Sequence, residues 1–98
     1  MDRREELRRV AIHCIEVLKD KYKVTRVYII GSLVKGYVHK RSDIDLVVEG
    51  LSPDLYMSAL TELWDILPND IELNLIPFED AFESLKQKAM REGELMYG

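Results

Sequence analysis

Three short runs of β-branched and aromatic residues, separated by amphipathic stretches of helical length, leave this chain few folds other than a small layered α/β sheet. The runs are Val24 to Ile30 (VTRVYII), Asp43 to Val48 (DIDLVV) and Ile71 to Ile76 (IELNLI). The first is continuously apolar toward its end and stops at Gly31, as a buried strand does. The other two alternate polar and apolar residues, the period of a strand with two unlike faces. Ahead of them, residues 3–21 space Leu7, Ala11, Cys14 and Leu18 by alternating steps of four and three, with Val10 and Val17 alongside, which predicts a helix. Ser52-Pro53 opens a second helix, serine as N-cap and proline in the first turn. Its apolar stripe is Tyr56, Ala59, Leu60, Leu63, Ile66 and Leu67, and Pro68-Asn69-Asp70 ends it. Phe78, Phe82, Leu85 and Ala89 mark a last helix, closed near Gly93 by a left-handed cap. Glu94 to Tyr97 follows as a short edge strand. With a short helical segment after Gly31, the order is α-β-(α)-β-α-β-α. The expected fold is α/β (α+β): one domain, residues 1–98, with a small mixed sheet of three to four strands and helices packed on one side.

Length and charge narrow what such a domain does. At 98 residues it is a single unit, large enough for a site but too small for a separate second-substrate domain. Its 18 acidic residues against 14 basic ones give a net charge of −4, which argues against a nucleic-acid partner. A single nucleotide remains compatible, because a metal ion and a few cations offset its phosphates. Cys14 is the only cysteine, so no intramolecular disulfide or cysteine zinc site is available, and it reads as a small buried residue of the first helix. The charged start Met1-Asp2-Arg3-Arg4-Glu5-Glu6 precedes no apolar stretch, so neither a signal peptide nor a membrane span is expected, and the cytoplasm is the expected location.

The chemistry concentrates in one stretch: Gly31-Ser32, ten residues, then Asp43-Ile44-Asp45. Gly31 ends a strand where the backbone turns sharply and approaches a ligand closely. Ser32 opens a helical segment, so its hydroxyl and free amides can hold a phosphate at the positive end. Asp43 and Asp45 lie two apart on a strand, so both carboxylates project from one face, with roughly 6.6–6.8 Å between their Cα atoms. Two like charges so close favour a cation between them, and magnesium prefers one or two carboxylates plus phosphate oxygens and water. Ile44 and Leu46, on the opposite face, anchor the strand in the core.

Two other motifs fail on their residues. Gly31 to Gly36 has the glycine spacing of a P-loop, but Tyr37-Val38 stands where lysine and a hydroxyl residue are required. The aspartate pair is not a calcium loop, since Val47 occupies the next ligand position and the loop glycine is missing.

The combination Gly31-Ser32-Leu33-Val34-Lys35-Gly36 … Ser42-Asp43-Ile44-Asp45-Leu46 resembles the signature of the minimal nucleotidyltransferases, in the DNA polymerase beta-like superfamily. The resemblance implies transfer of a nucleoside monophosphate from a triphosphate, ATP foremost, to a hydroxyl, using two Mg²⁺ ions and releasing pyrophosphate. Carried over, Gly31 and Ser32 hold the β- and γ-phosphates, and Asp43 and Asp45 bind metal. Lys35 stands where the family often has arginine and offers a point charge to the triphosphate. Lys40 and Arg41 are flanking cations, open to a phosphate-contact or a plain surface reading.

One departure matters. The family's third carboxylate falls at Asn74, which carries no charge and cannot act as a base. Glu72, two residues earlier on the same face, is the substitute candidate for metal or acceptor contact; its other reading is a solvated strand residue. Chains of this length in the family often pair with a small helical HEPN-type protein as its antitoxin, in some cases adenylylating it; a homodimer is a further possibility. Two functions therefore stand: an AMP-transferring antitoxin with catalytic residues Asp43, Asp45 and Glu72, or a nucleotide-binding module that neutralises its partner by contact.

Overall fold

The computed structural model describes residues 3–31 and 42–98. Helix α1 (Arg3–Tyr22) is followed by strands β1 (Arg26–Ile30) and β2 (Ser42–Glu49). A 3₁₀ turn (Pro53–Leu55) leads into α2 (Tyr56–Ile66), then β3 (Ile71–Pro77). A second 3₁₀ turn (Phe78–Asp80), α3 (Glu83–Glu92) and β4 (Glu94–Tyr97) complete the chain. The sheet order is β3-β2-β1-β4, with β1 antiparallel to both neighbours and β2 parallel to β3. The parallel pair needs a crossover, and the turn and α2 supply it.

The sheet's two faces are built by alternation. Ile44, Leu46 and Val48 of β2 join Val27, Ile29, Leu73 and Leu75 against the apolar sides of α1 and α2, through Leu7, Ala11, Cys14, Leu18, Ala59 and Leu63. On the opposite face, Tyr28, Ile30 and Val47 are covered by Ala89 of α3, with Phe78 and Leu85 beside them. The mixed four-stranded sheet is as expected, but only α1 and α2 share a face; α3 lies across the other. Burial pushes the Cys14 thiol up to about 11, consistent with an inert core side chain.

Several local expectations change. β1 starts at Arg26 rather than Val24, because Lys23 turns the chain at φ 56 and the Val24 N–H donates to the Leu18 carbonyl at 3.4 Å. Ser52 precedes the Pro53 turn, but its side chain makes no capping hydrogen bond; the Leu55 N–H donates instead to its carbonyl at 2.9 Å. Phe82 is extended and 85% exposed, so α3 begins after it. Gly93 is not a left-handed cap, having φ −76. A Cβ there would sit 2.5 Å from the Ala89 carbonyl oxygen and 3.1 Å from that of Ile29, so glycine lets α3 pass tightly onto β1.

Arg8 fastens α1 to β4 by a two-pronged pair with Glu94, at 3.2 and 2.6 Å. The hydrogen bond from Arg8 holds the Glu94 carboxyl below its ordinary value of 4.5. A depressed folded value means that the stabilisation is present above the ordinary glutamate range and is lost as pH falls through the depressed one. The partners are 31% and 40% exposed, which limits the pair to under about 1 kcal/mol. Arg8→Met should therefore lower the denaturation midpoint slightly at about pH 7, and the gap from wild type should narrow once the pH is taken below the ordinary glutamate range. An equal gap at both would remove the pair from the stability of the domain.

Candidate active site

The site forms where the apolar half of the α3-facing sheet surface gives way to a polar half. On β2, residues 43 and 45 share the face of Val47, and the parallel register sets Asp43 against Glu72 and Asp45 against Asn74. All four side chains therefore project from the same side of adjacent strands. Their neighbours in sequence, Ile44 and Leu46, are fully buried on the other side and fix the strand in place.

Gly31 takes a role that local sequence did not reveal. It ends β1 at φ +85, a conformation that favours glycine, and adjoins Ile30, the register partner of Asp45. A Cβ at Gly31 would lie 2.7 Å from Asp45 Oδ2. The close approach that demands glycine is thus made by the protein's own carboxylate, whatever else approaches later. On the other flank, Asn74 Nδ2 donates to Asp45 Oδ1 at 2.8 Å. Asp45 is seated between a glycine and an amide.

Asp43 differs. Its Oδ1 is buried and accepts no hydrogen bond among the described residues. A shielded, unpaired carboxylate oxygen is costly, and such an atom calls for a functional explanation. A hard cation with oxygen ligands supplies one, and two carboxylates from one strand face suit it. The donor set therefore fits a divalent metal. Among the described residues, however, no three histidine, cysteine, aspartate or glutamate side chains come together to hold one. Glu72 shares the face and is exposed, without closing a three-carboxylate centre. Ser32, Lys35 and Arg41, the other expected site residues, lie outside the described residues.

Glu72 and Asn74 also line a cleft of about 480 Å³ beside the free edge of β3, with Trp64, Pro68 and Asn69 on its other side. Here α2 guards the edge: Tyr56 OH donates to the Leu75 carbonyl at 2.6 Å, and Trp64 Nε1 to that of Leu73 at 3.4 Å. Covering outward carbonyls in this way blunts an edge strand against unwanted pairing. Trp64 lies off the helix's apolar stripe and is 56% exposed. Nothing in its spacing foretold contact with β3, because that depends on how the crossover docks.

The mixed sheet, with paired aspartates opening its second strand beside a glycine-ended first, defines a nucleotidyltransferase fold. Residues 13–98 match the family described as polymerase beta, nucleotidyltransferase, and the chain belongs to that family. No curated protein matches it. Among solved structures, a toxin–antitoxin crystal structure with AMP-PNP is similar at TM-score 0.70 and 27% identity, over 86% of this chain and 69% of that one. The toxin–antitoxin MntA-HepT gives TM-score 0.68 and 22% identity, over 93% of this chain and 72% of that one. A structure described as a minimal nucleotidyltransferase gives 0.66 and 20%, over 89% and 92%. The last two likenesses establish the fold alone. No helix among the described residues is long and apolar enough to cross a membrane.

Proposed function

We propose that this domain is a metal-dependent nucleotidyltransferase that moves AMP from ATP to a hydroxyl on a helical HEPN-type partner, acting as that partner's antitoxin in the cytoplasm. The observation that carries this reading is the shielded, unpaired Oδ1 of Asp43, with Asp45 beside it on the same strand face. The toxin–antitoxin structures to which the fold is similar, one of them with AMP-PNP, support the partner and the nucleotide.

Asp43 and Asp45 would hold Mg²⁺, which when bound supplies charge neutralisation at the phosphates. Gly31 and Ser32 cradle the β- and γ-phosphates, with Lys35 and Arg41 contributing positive charge. The acceptor oxygen bonds to the α-phosphorus in line as the bond from that phosphorus to the β-phosphate's bridging oxygen breaks, and pyrophosphate departs. Glu72, exposed on the same face, takes the proton from the acceptor hydroxyl. General-base help of this kind contributes about 10²–10⁴ in rate.

The test uses ATP labelled at the α- or the γ-phosphate, incubated with the domain and its partner. Label from the α position should enter the partner, and label from the γ position should leave as pyrophosphate. Transfer from the γ position would make the protein a kinase and overturn the assignment. A second reading, neutralisation by contact alone, draws on the neutral Asn74 side chain bonded to Asp45. It predicts that Asp43→Ala still protects cells from the partner.

A further inference from the structure

The seat of Asp45 carries a further inference, which rests on the proposed metal–nucleotide reading. We propose that Asn74 is a positioning residue: it fixes the Asp45 carboxylate and, by staying neutral, makes cation binding depend on the triphosphate. Three observations converge. The amide of Asn74 donates to Asp45 Oδ1 at 2.8 Å, from the position directly across the β2–β3 ladder. The other oxygen, Oδ2, faces Gly31, where there is no room for a side chain. One carboxylate oxygen is therefore held by a hydrogen bond, and the other has its place only because position 31 carries no side chain. Lastly, Asp43 and Asp45 acquire no third acidic or imidazole ligand among the described residues.

The amide contributes orientation without charge. Two carboxylates are a weak trap for a free divalent ion, because affinity rises with the number of charged ligands and the rigidity of the site. A triphosphate brings the oxygens and negative charge that the protein withholds. The cation then binds as part of a metal–nucleotide complex. A free ion has little hold on the site, which keeps an ion-filled, nucleotide-free form scarce.

Asn74 is exposed, so its variants keep the core; thermal melts serve as the check on folding. The probe is Mn²⁺, read by paramagnetic broadening of the Ile44 and Leu46 backbone amide signals, with and without the non-hydrolysable triphosphate AMP-PNP. In the wild type, AMP-PNP should tighten Mn²⁺ binding by about tenfold or more. Asn74→Asp should bind Mn²⁺ about tenfold more tightly without nucleotide, shrinking that dependence. Asn74→Ala should weaken Mn²⁺ binding about tenfold in the presence of AMP-PNP, in line with loss of an orienting partner. The Asn74 side-chain amide signal should also shift in Asp45→Ala and stay in place in Asp43→Ala. Equal Mn²⁺ affinity in wild type and Asn74→Ala, or wild-type binding indifferent to AMP-PNP, overturns the role of Asn74 and leaves the site itself standing. Absence of Mn²⁺ binding by the wild type under both conditions overturns the metal–nucleotide reading as well.

Discussion

Asp43→Asn should make the ligand-free protein harder to melt and at the same time abolish its binding of Mg²⁺–ATP. The two effects have one origin. Asp43 Oδ1 is buried without a partner among the described residues, and the like charge of Asp45 sits two residues along the same face. An unsatisfied buried polar atom costs about 1–3 kcal/mol, and neutralising the group recovers part of this. Recovery of about 1 kcal/mol would raise the melting temperature by about 4–8 °C in a domain of this size. Binding moves the other way. Loss of an orienting partner alone costs about 10–100-fold in metal affinity, so loss of a ligand should cost at least about 100-fold. Calorimetric titration of Mg²⁺–ATP beside a thermal melt reads both quantities. A variant that binds as wild type does, or melts lower, would show that Asp43 is an ordinary strand residue.

Gly31→Ala should lose binding too, while melting lower. The backbone there has φ +85, and an L-residue in the left-handed region costs about 1–2 kcal/mol. The new methyl would also stand 2.7 Å from Asp45 Oδ2, so the carboxylate must swing off its seat and away from Asn74. A fall of about 4–8 °C for each kcal/mol is expected, together with loss of Mg²⁺–ATP binding. The pair of variants thus separates two ways of losing the proposed site: one would remove a ligand and relax the fold, the other would keep both and misplace one. Undiminished nucleotide binding by Gly31→Ala would dissociate the glycine from the placement of Asp45.

How much of this was legible beforehand depends on the range of the interaction. Asp43-Ile44-Asp45-Leu46 announces its faces through a period of two, so the strand, its buried anchors and its polar pair were all readable. The short edge strand expected at Glu94–Tyr97 is present, at the sheet's β1 side. Periodicity identifies which residues of α3 are buried but not which face of the sheet they meet, so the placement of that helix over Val47 emerged only in three dimensions. Gly93 is a similar case. A glycine after a helix suggests a left-handed cap, whereas here it is required by the nearness of the Ala89 and Ile29 carbonyls. The bond between Asn74 and Asp45 joins residues 29 positions apart and needs the exact register of a parallel pair. No local pattern encodes that. Gly31 was legible as a special residue, but the atom crowding it was not.

The alternation along β2 also bears on how such a protein can change over generations. Its even-numbered residues, Ile44, Leu46 and Val48, hold the domain together, while the odd-numbered Asp43 and Asp45 are the ones to which the proposed function assigns the chemistry. A mutation in either aspartate would spare the packing beneath it, so on the proposed function a lineage that lost transfer would retain a folded surface with which to grip its partner. On that reading catalysis would be the easily discarded half of this strand, and a binding protein would remain when it went.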